Sequence, residues 1–166
     1  MATREGLLAE FDHEMAATRR LFMCVPEDKL TWKPHERCRS TGDLAAHIID
    51  ITTWSRPILD LPRFDLDDAP APIEAAGSIN DLLSRLAGHV SQARALLERS
   101  DSELNASWSL LQGGQELFSL PRAAAFRTFV LGHVVHHRGQ LSVYLRINDI
   151  VVPPMYGPTG DSAARR

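Results

Sequence analysis

The stretch Leu131-Gly-His-Val-Val-His-His-Arg-Gly-Gln-Leu141 places two histidines, His133 and His137, four residues apart. On a helix, residues four apart lie on the same face, one turn above the other. Neutral imidazole is the commonest protein metal ligand, and this spacing allows two imidazoles to reach a single ion. The stretch therefore predicts a helix that contributes two ligands to a metal site.

A third histidine, His47, lies on an apolar helical stripe in the run Leu44-Ala-Ala-His-Ile-Ile49. A lone histidine on such a face is more often a hydrogen-bonded core residue than a ligand. Three imidazoles buried without partners would cost roughly 1–3 kcal/mol each, whereas one shared ion satisfies all three. Three histidines with one open position are typical of catalytic metal sites. We therefore predict His47, His133 and His137 as metal ligands, with three separately hydrogen-bonded histidines as the alternative.

The length and composition are those of one globular domain. The chain has 166 residues, of which 44% are hydrophobic and 23% charged, so we expect a single domain over residues 1–166. A net charge of -3 without a basic stripe disfavours nucleic acid as a partner. Neither a signal peptide nor an apolar run of about 20 residues is recognisable, which predicts a cytoplasmic protein without a membrane partner.

Hydrophobic periodicity predicts four long helices, two of which begin at Ser-x-x-Asp capping boxes (Ser40 to Asp43 and Ser78 to Asp81). Pro57 should kink or end the second helix, and Pro121 suits the first turn of the fourth. The predicted helices cover about 4–24, 40–58, 78–97 and 121–148. This pattern indicates an all-α protein, a four-helix bundle with a long crossover between helices 2 and 3.

The two long connections differ in character. Residues 62–77 form a proline-rich acidic crossover. Residues 105–119 contain Gly113-Gly114, a pair that could turn a small hairpin.

The fourth helix is expected to turn its histidines inward. An α-helical period puts seven residues on one inward face: Phe126, Phe129, Val130, His133, His137, Gln140 and Tyr144. Arg138 and Arg146 then face solvent or a partner subunit.

Several polar residues are candidates for the surroundings of the ion. A ligating histidine usually donates its second N–H to a carboxylate or carbonyl, which Asp43 or Asp50 could provide for His47. For Asp43, helix capping is the simpler explanation. Gln140 could bond a ligand, a water or the substrate. The remaining pocket candidates are His136, Tyr144 and His35.

Several segments together resemble one family. In chain order they are Trp32-Lys-Pro-His-Glu-Arg-Cys-Arg-Ser40, Leu44-Ala-Ala-His47, His133-Val-Val-His-His-Arg-Gly-Gln-Leu141 and Val152-Pro-Pro-Met-Tyr-Gly-Pro158. With these segments the chain resembles the DinB/YfiT-like superfamily of metalloenzymes over essentially its whole length. The most specific part is His-x-x-His-His-Arg-Gly-Gln-Leu followed by Tyr-Leu-Arg.

The resemblance implies a four-helix bundle with three histidine ligands, at the positions of His47, His133 and His137, around zinc, nickel or another divalent ion. It also implies a homodimer, which is frequent in the family. Members include S-transferases of low-molecular-weight thiols, a mycothiol-dependent isomerase and hydrolases, and many have no assigned reaction. The family label refers to DNA-damage-inducible expression and implies no DNA binding. Fold and metal therefore transfer better than the reaction.

From these patterns we expect a metal-dependent enzyme that activates a thiol or a water molecule, as a thiol transferase or a hydrolase acting on a small-molecule substrate. The first alternative is a non-enzymatic metal-binding stress-response bundle whose fourth position is blocked. The second is an interaction module without a metal. Cys24 and Cys38 show no spacing typical of a nucleophilic Cys–His pair, and the sequence has no GxSxG, P-loop or GxGxxG motif.

Overall fold

The four predicted helical segments are present in the computed structural model, which describes residues 3–74 and 77–163. Helix α1 packs against α4 and α7, and α2 packs against the same two helices. The helices are α1 Thr3–Phe22, α2 Thr41–Thr53, α3 Ser55–Asp60, α4 Ile79–Leu97, α5 Asp101–Leu104, α6 Arg122–Phe126, α7 His133–Ile147 and α8 Gly160–Ala163. Within the described residues, no helix is both long and apolar enough to cross a membrane.

The predicted helix starts at Ser40 and Ser78 are confirmed. The Ser40 hydroxyl accepts the Asp43 backbone N–H at 3.1 Å and donates to the Asp43 carboxylate at 2.6 Å. The Ser78 hydroxyl accepts the Asp81 N–H in the same way, at 3.1 Å. Each contact satisfies a backbone donor that has no partner within its helix.

The break predicted near Pro57 is also confirmed. Helix α2 ends at Thr53, Trp54 separates it from α3, and α3 continues through Pro57. Proline has no N–H to donate to the carbonyl four residues earlier, that of Thr53, and its ring would clash with that carbonyl. The chain therefore turns at Trp54, beside the end of the helix that carries His47.

The prediction of an all-α four-helix bundle is wrong, because a three-stranded mixed sheet lies beside the helices. Strand β1, Arg63–Asp65, pairs in parallel with β2, Ser107–Gln112, and β2 pairs antiparallel with β3, Gln115–Pro121. Strand β1 lies within the crossover that the sequence assigned to loop. Its three residues are too few to show a period of two, and its partner strand begins more than 40 residues later.

The hairpin predicted at Gly113-Gly114 is confirmed. Both glycines have positive φ, 59° and 78°, as the two-residue turn of a right-twisted hairpin requires. The Asp65 carboxylate accepts the N–H groups of Gly114 at 2.6 Å and Gly113 at 3.1 Å, and that of Asp67 at 3.1 Å. These backbone donors, with Asp67 first, hold the pKa of Asp65 below its ordinary value. The ionised carboxylate therefore ties the crossover to the hairpin. Residues 75 and 76, at the end of the predicted crossover, lie outside the described residues.

The fourth predicted helix is continuous but contains a π-helical turn, Arg127–Gly132, between α6 and α7. Such a turn holds about one residue more than an α-turn, so the buried face moves on by one residue after it. The buried stripe runs through Phe126, Val130, Val134, Arg138, Leu141 and Leu145. The predicted inward face is therefore only partly correct: His133 and His137 are half-buried at its edge, and Gln140 is exposed.

The prediction that Arg138 faces solvent or a partner is wrong, because this side chain is 1% exposed. Its guanidinium forms an ion pair with the Glu14 carboxylate of α1. It also donates to the Glu14 carbonyl at 2.8 Å, to the Thr18 hydroxyl at 3.2 Å and to the hydroxyl of Tyr156. A buried cation on an otherwise apolar face is invisible to hydrophobic periodicity, since its partner comes from a helix 124 residues away. Arg146, in contrast, is exposed and pairs with Asp161 at 2.6 Å, as a solvent-facing residue would.

We predict that Glu14→Ala will lower the free energy of unfolding by roughly 3–5 kcal/mol, because it leaves the Arg138 charge buried without its carboxylate. Urea denaturation measures this change. Arg127→Ala is the matched control, since it breaks a pair with Glu10 (2.8 Å) between the same two regions, in which both side chains are more than 40% exposed. That control should cost less than about 1 kcal/mol. Equal losses in the two variants would contradict the importance of the buried pair.

Candidate metal centre

Helices α2 and α7 bring the three predicted ligands together. One ring nitrogen of each of His47, His133 and His137 lies within 4.8 Å of the other two. The Nε2 atoms of His133 and His137 are 3.0 Å apart, and the His47 ring centroid lies 5.4 Å and 4.6 Å from theirs. All three residues are half-buried. The cluster is thus neither sealed in the core nor spread over the surface.

The donor set and its spacing fit a divalent ion. Two imidazole nitrogens at about 2.0–2.1 Å from a zinc ion, at a tetrahedral angle, would be about 3.3 Å apart. The His133–His137 separation of 3.0 Å is close to this value, and the His47 nitrogen, within 4.8 Å of both, would move towards them to share the same ion. Three neutral imidazoles suit zinc and nickel, and equally copper and iron.

Neighbouring groups orient two of the rings. Gln140 Oε1 lies 2.8 Å from His137 Nδ1, so Nδ1–H donates to the amide oxygen and Nε2 presents its lone pair to the cluster. The Gln140 amide nitrogen donates in turn to His136 Nε2 at 3.1 Å. A hydrogen bond to the backbone of Phe129 holds His133. The sequence-predicted residues Gln140 and His136 are therefore adjacent to the cluster.

The surroundings keep the three imidazoles neutral. Burial lowers the pKa of His47 to about 4, with the Arg39 charge and the other two histidines acting in the same direction. Burial also lowers the pKa of His133 and His137, against the opposing hydrogen bonds from Phe129 and Gln140. Because only the neutral ring has a lone pair for a metal, the cluster is ready for an ion at neutral pH.

The two aspartates near His47 differ in position. Asp50 Oδ2 lies 4.0 Å from His47 Nδ1, within ion-pair range but beyond a hydrogen bond. Asp43 is exposed and bonded to Ser40, so the capping explanation is confirmed. Of the two, Asp50 is the one that the fold places beside the cluster.

The other two candidates lie apart from the histidine cluster. The Tyr144 ring packs edge-on against Trp32, with ring centroids 5.6 Å apart. Burial and a hydrogen bond with Cys38 raise the pKa of its phenol. His35 is exposed in the loop before α2, where its Nδ1 accepts the Arg37 N–H at 3.1 Å. Both residues therefore contact the loop that leads into α2.

Sequence reasoning missed two features of this site. It did not connect Arg39 with the histidines, although this cation lowers the pKa of all three. It did not assign Trp54 to the site, although Trp54 and Phe129 line a cavity beside His47 and His133. The position of Trp54 just before the Pro57 break, at the end of the His47 helix, was the available signal.

Comparisons with known proteins agree with this architecture. The family model of the DinB superfamily matches residues 10–141. The crystal structure of a DinB-like protein from Bacillus cereus ATCC 10987 is 19% identical, covers 92% of this chain and 97% of its own, and has a TM-score of 0.74. A DinB-like protein from Bacillus subtilis is 19% identical, covers 93% and 99%, and has a TM-score of 0.69. At this identity the two structures establish a shared fold. No curated protein matches the chain.

We predict that the metal-free protein loses stability as the pH falls from 6.5 towards 4. In this window the unfolded chain binds a proton at His47 that the folded chain, with a pKa of about 4, does not bind. The unfolded state is therefore favoured progressively as the pH decreases. Urea denaturation at pH 7, 5.5 and 4.5 measures the effect. His47→Gln should reduce the slope, whereas His89→Gln, outside the cluster, should keep it; an unchanged slope in His47→Gln would contradict the assignment.

Proposed function

This chain belongs to the DinB superfamily, and from that membership we propose that it is a metal-dependent enzyme whose ion is bound by His47, His133 and His137. The observation that carries the proposal is the convergence of three ring nitrogens within 4.8 Å on two packed helices. Three protein ligands leave a divalent ion with a position for another molecule.

When bound by these residues, a divalent ion would supply positive charge, which would lower the pKa of a thiol or water molecule towards neutral. Zinc or nickel suits the ligand set. The reaction is the transfer of a low-molecular-weight thiol or a hydrolysis, in either case on a small-molecule substrate.

The protein side chains have distinct roles in this proposal. Gln140 fixes the orientation of His137, and the Phe129 backbone fixes that of His133. In this proposal the Asp50 carboxylate, 4.0 Å from His47, accepts a proton or a hydrogen bond during the reaction. The side chains of Trp54 and Phe129 provide an apolar wall on one side of the cluster.

We predict that His47→Ala and His137→Ala will each lose stoichiometric zinc or nickel while remaining folded. Either change removes one of three ligands from a half-buried site. Elemental analysis of untagged protein, together with circular dichroism, measures both properties. His89→Ala removes a histidine outside the cluster and should keep the metal. Stoichiometric metal in either cluster variant would contradict the ligand assignment.

We predict that Gln140→Ala will bind the ion about 10-fold more weakly, because His137 loses the acceptor that orients its ring. Competition with a chelator of known affinity measures this change. Gln112→Ala, at the exposed end of β2, is the control and should match the unmodified protein. An unchanged affinity in Gln140→Ala would remove Gln140 from the site.

A further inference from the structure

A cavity of about 290 Å³ lies directly beside the histidine cluster. Two of the three proposed ligands, His47 and His133, form part of its wall. The remaining wall is mostly apolar and comes from three separate parts of the chain: Ile51 and Trp54 at the end of α2, Phe129 in the π-helical turn, and Pro70 with Pro72 in the crossover. Its volume lies at the lower end of the range of small-molecule sites, about 300–1,000 Å³.

The indole of Trp54 separates this cavity from a second one of about 300 Å³, which extends to Phe64 and Leu61. The Trp54 ring lies edge-on to Phe64, with centroids 5.6 Å apart, and nearly parallel to Phe129, at 6.2 Å. Aromatic packing of this kind holds the indole in one orientation. The two cavities therefore share Trp54 as a wall, and the second is also lined by Arg56.

The charges around the first cavity restrict what it can bind. Within the part of the chain that the structure describes, its lining contains one carboxylate, Asp50, and neither lysine nor arginine. Against the apolar walls, away from the histidines, a phosphate or carboxylate group would lose its hydration without meeting a side-chain cation, so only the end where the ion is held suits a charged group. A neutral apolar group would instead be transferred from water onto apolar walls, which is favourable by about 25 cal/mol for each Å² buried.

We propose that the substrate of this site carries a neutral apolar group, aromatic or branched aliphatic, which packs against Trp54 and Phe129 while its reacting group faces His47 and His133. This inference rests on the proposed function, because it places the reacting group at the ion held by the histidines. It narrows the substrate class to small molecules in which an apolar group is joined to a reacting group that faces the ion.

The test uses two metal-chelating probes, benzohydroxamate and acetohydroxamate, on the zinc-loaded protein. Both probes carry the same hydroxamate chelating group, to which benzohydroxamate attaches a phenyl ring and acetohydroxamate a methyl group. Isothermal titration calorimetry gives both dissociation constants. We expect benzohydroxamate to bind at least about 10-fold more tightly, which corresponds to burying on the order of 60 Å² of additional apolar surface.

Two tryptophan substitutions in the same exposed loop provide the matched comparison. Ala69 lines the cavity and Ala71 does not. Ala69→Trp should fill the cavity and bring the ratio of the two affinities close to one, with acetohydroxamate binding unchanged. Ala71→Trp should retain the full ratio.

The possible failures are distinguishable. If both hydroxamates bind the unmodified protein equally, the apolar subsite is refuted and the metal site stands. If the preference survives in Ala69→Trp, the phenyl group lies elsewhere and the subsite is likewise refuted. If zinc is taken up but neither probe binds, the open coordination position is refuted. If zinc is not taken up, the proposed function is refuted. Either result also refutes the apolar subsite.

Discussion

The buried ion pair between Arg138 and Glu14 determines how α7 sits among the other helices. A guanidinium with almost no exposure is stable only where its partners are, so α7 must present this residue to α1. His137 is the preceding residue and therefore points about 100° away around the helix axis, towards α2 and His47. The same pair engages the hydroxyl of Tyr156, whose ring the guanidinium carbon approaches at 5.3 Å from the centroid. One interaction thus joins α1, α7 and the C-terminal segment and orients the histidines.

The π-helical turn before His133 has a complementary effect. In a regular α-helix, the stripe that begins at Phe126 would have continued through His133 and His137 into the core. The additional residue in the turn moves the buried stripe to Val134 and Arg138, which leaves both histidines at its edge. An ion bound at a half-buried edge can accept a ligand from solvent, whereas one in the core could not. π-Helical turns are frequent at functional sites, and here the turn also supplies Phe129 to the cavity wall.

The sheet and the crossover contribute the parts of the candidate site that the helices do not. The Asp65 carboxylate holds the crossover against the hairpin turn, and the residues after it, including Pro70, form one wall of the cavity. From β2, the indole N–H of the fully buried Trp108 donates to the Pro57 carbonyl at 3.0 Å. The break between α2 and α3 is therefore supported from β2. The crossover is therefore part of the candidate site.

Local sequence patterns predict the features that depend on contacts between neighbouring residues. Four such features arise from contacts within a few residues: the caps at Ser40 and Ser78, the break before Pro57, the Gly113-Gly114 hairpin and the one-turn spacing of His133 and His137. Features that need a distant partner depend on how the whole chain packs, and the sequence did not predict them. Strand β1 exists because β2 pairs with it, Arg138 is buried because Glu14 receives it, and the cavity exists because three separated segments meet. Such contacts leave no period in the sequence, because each partner is chosen by the packing of the whole chain.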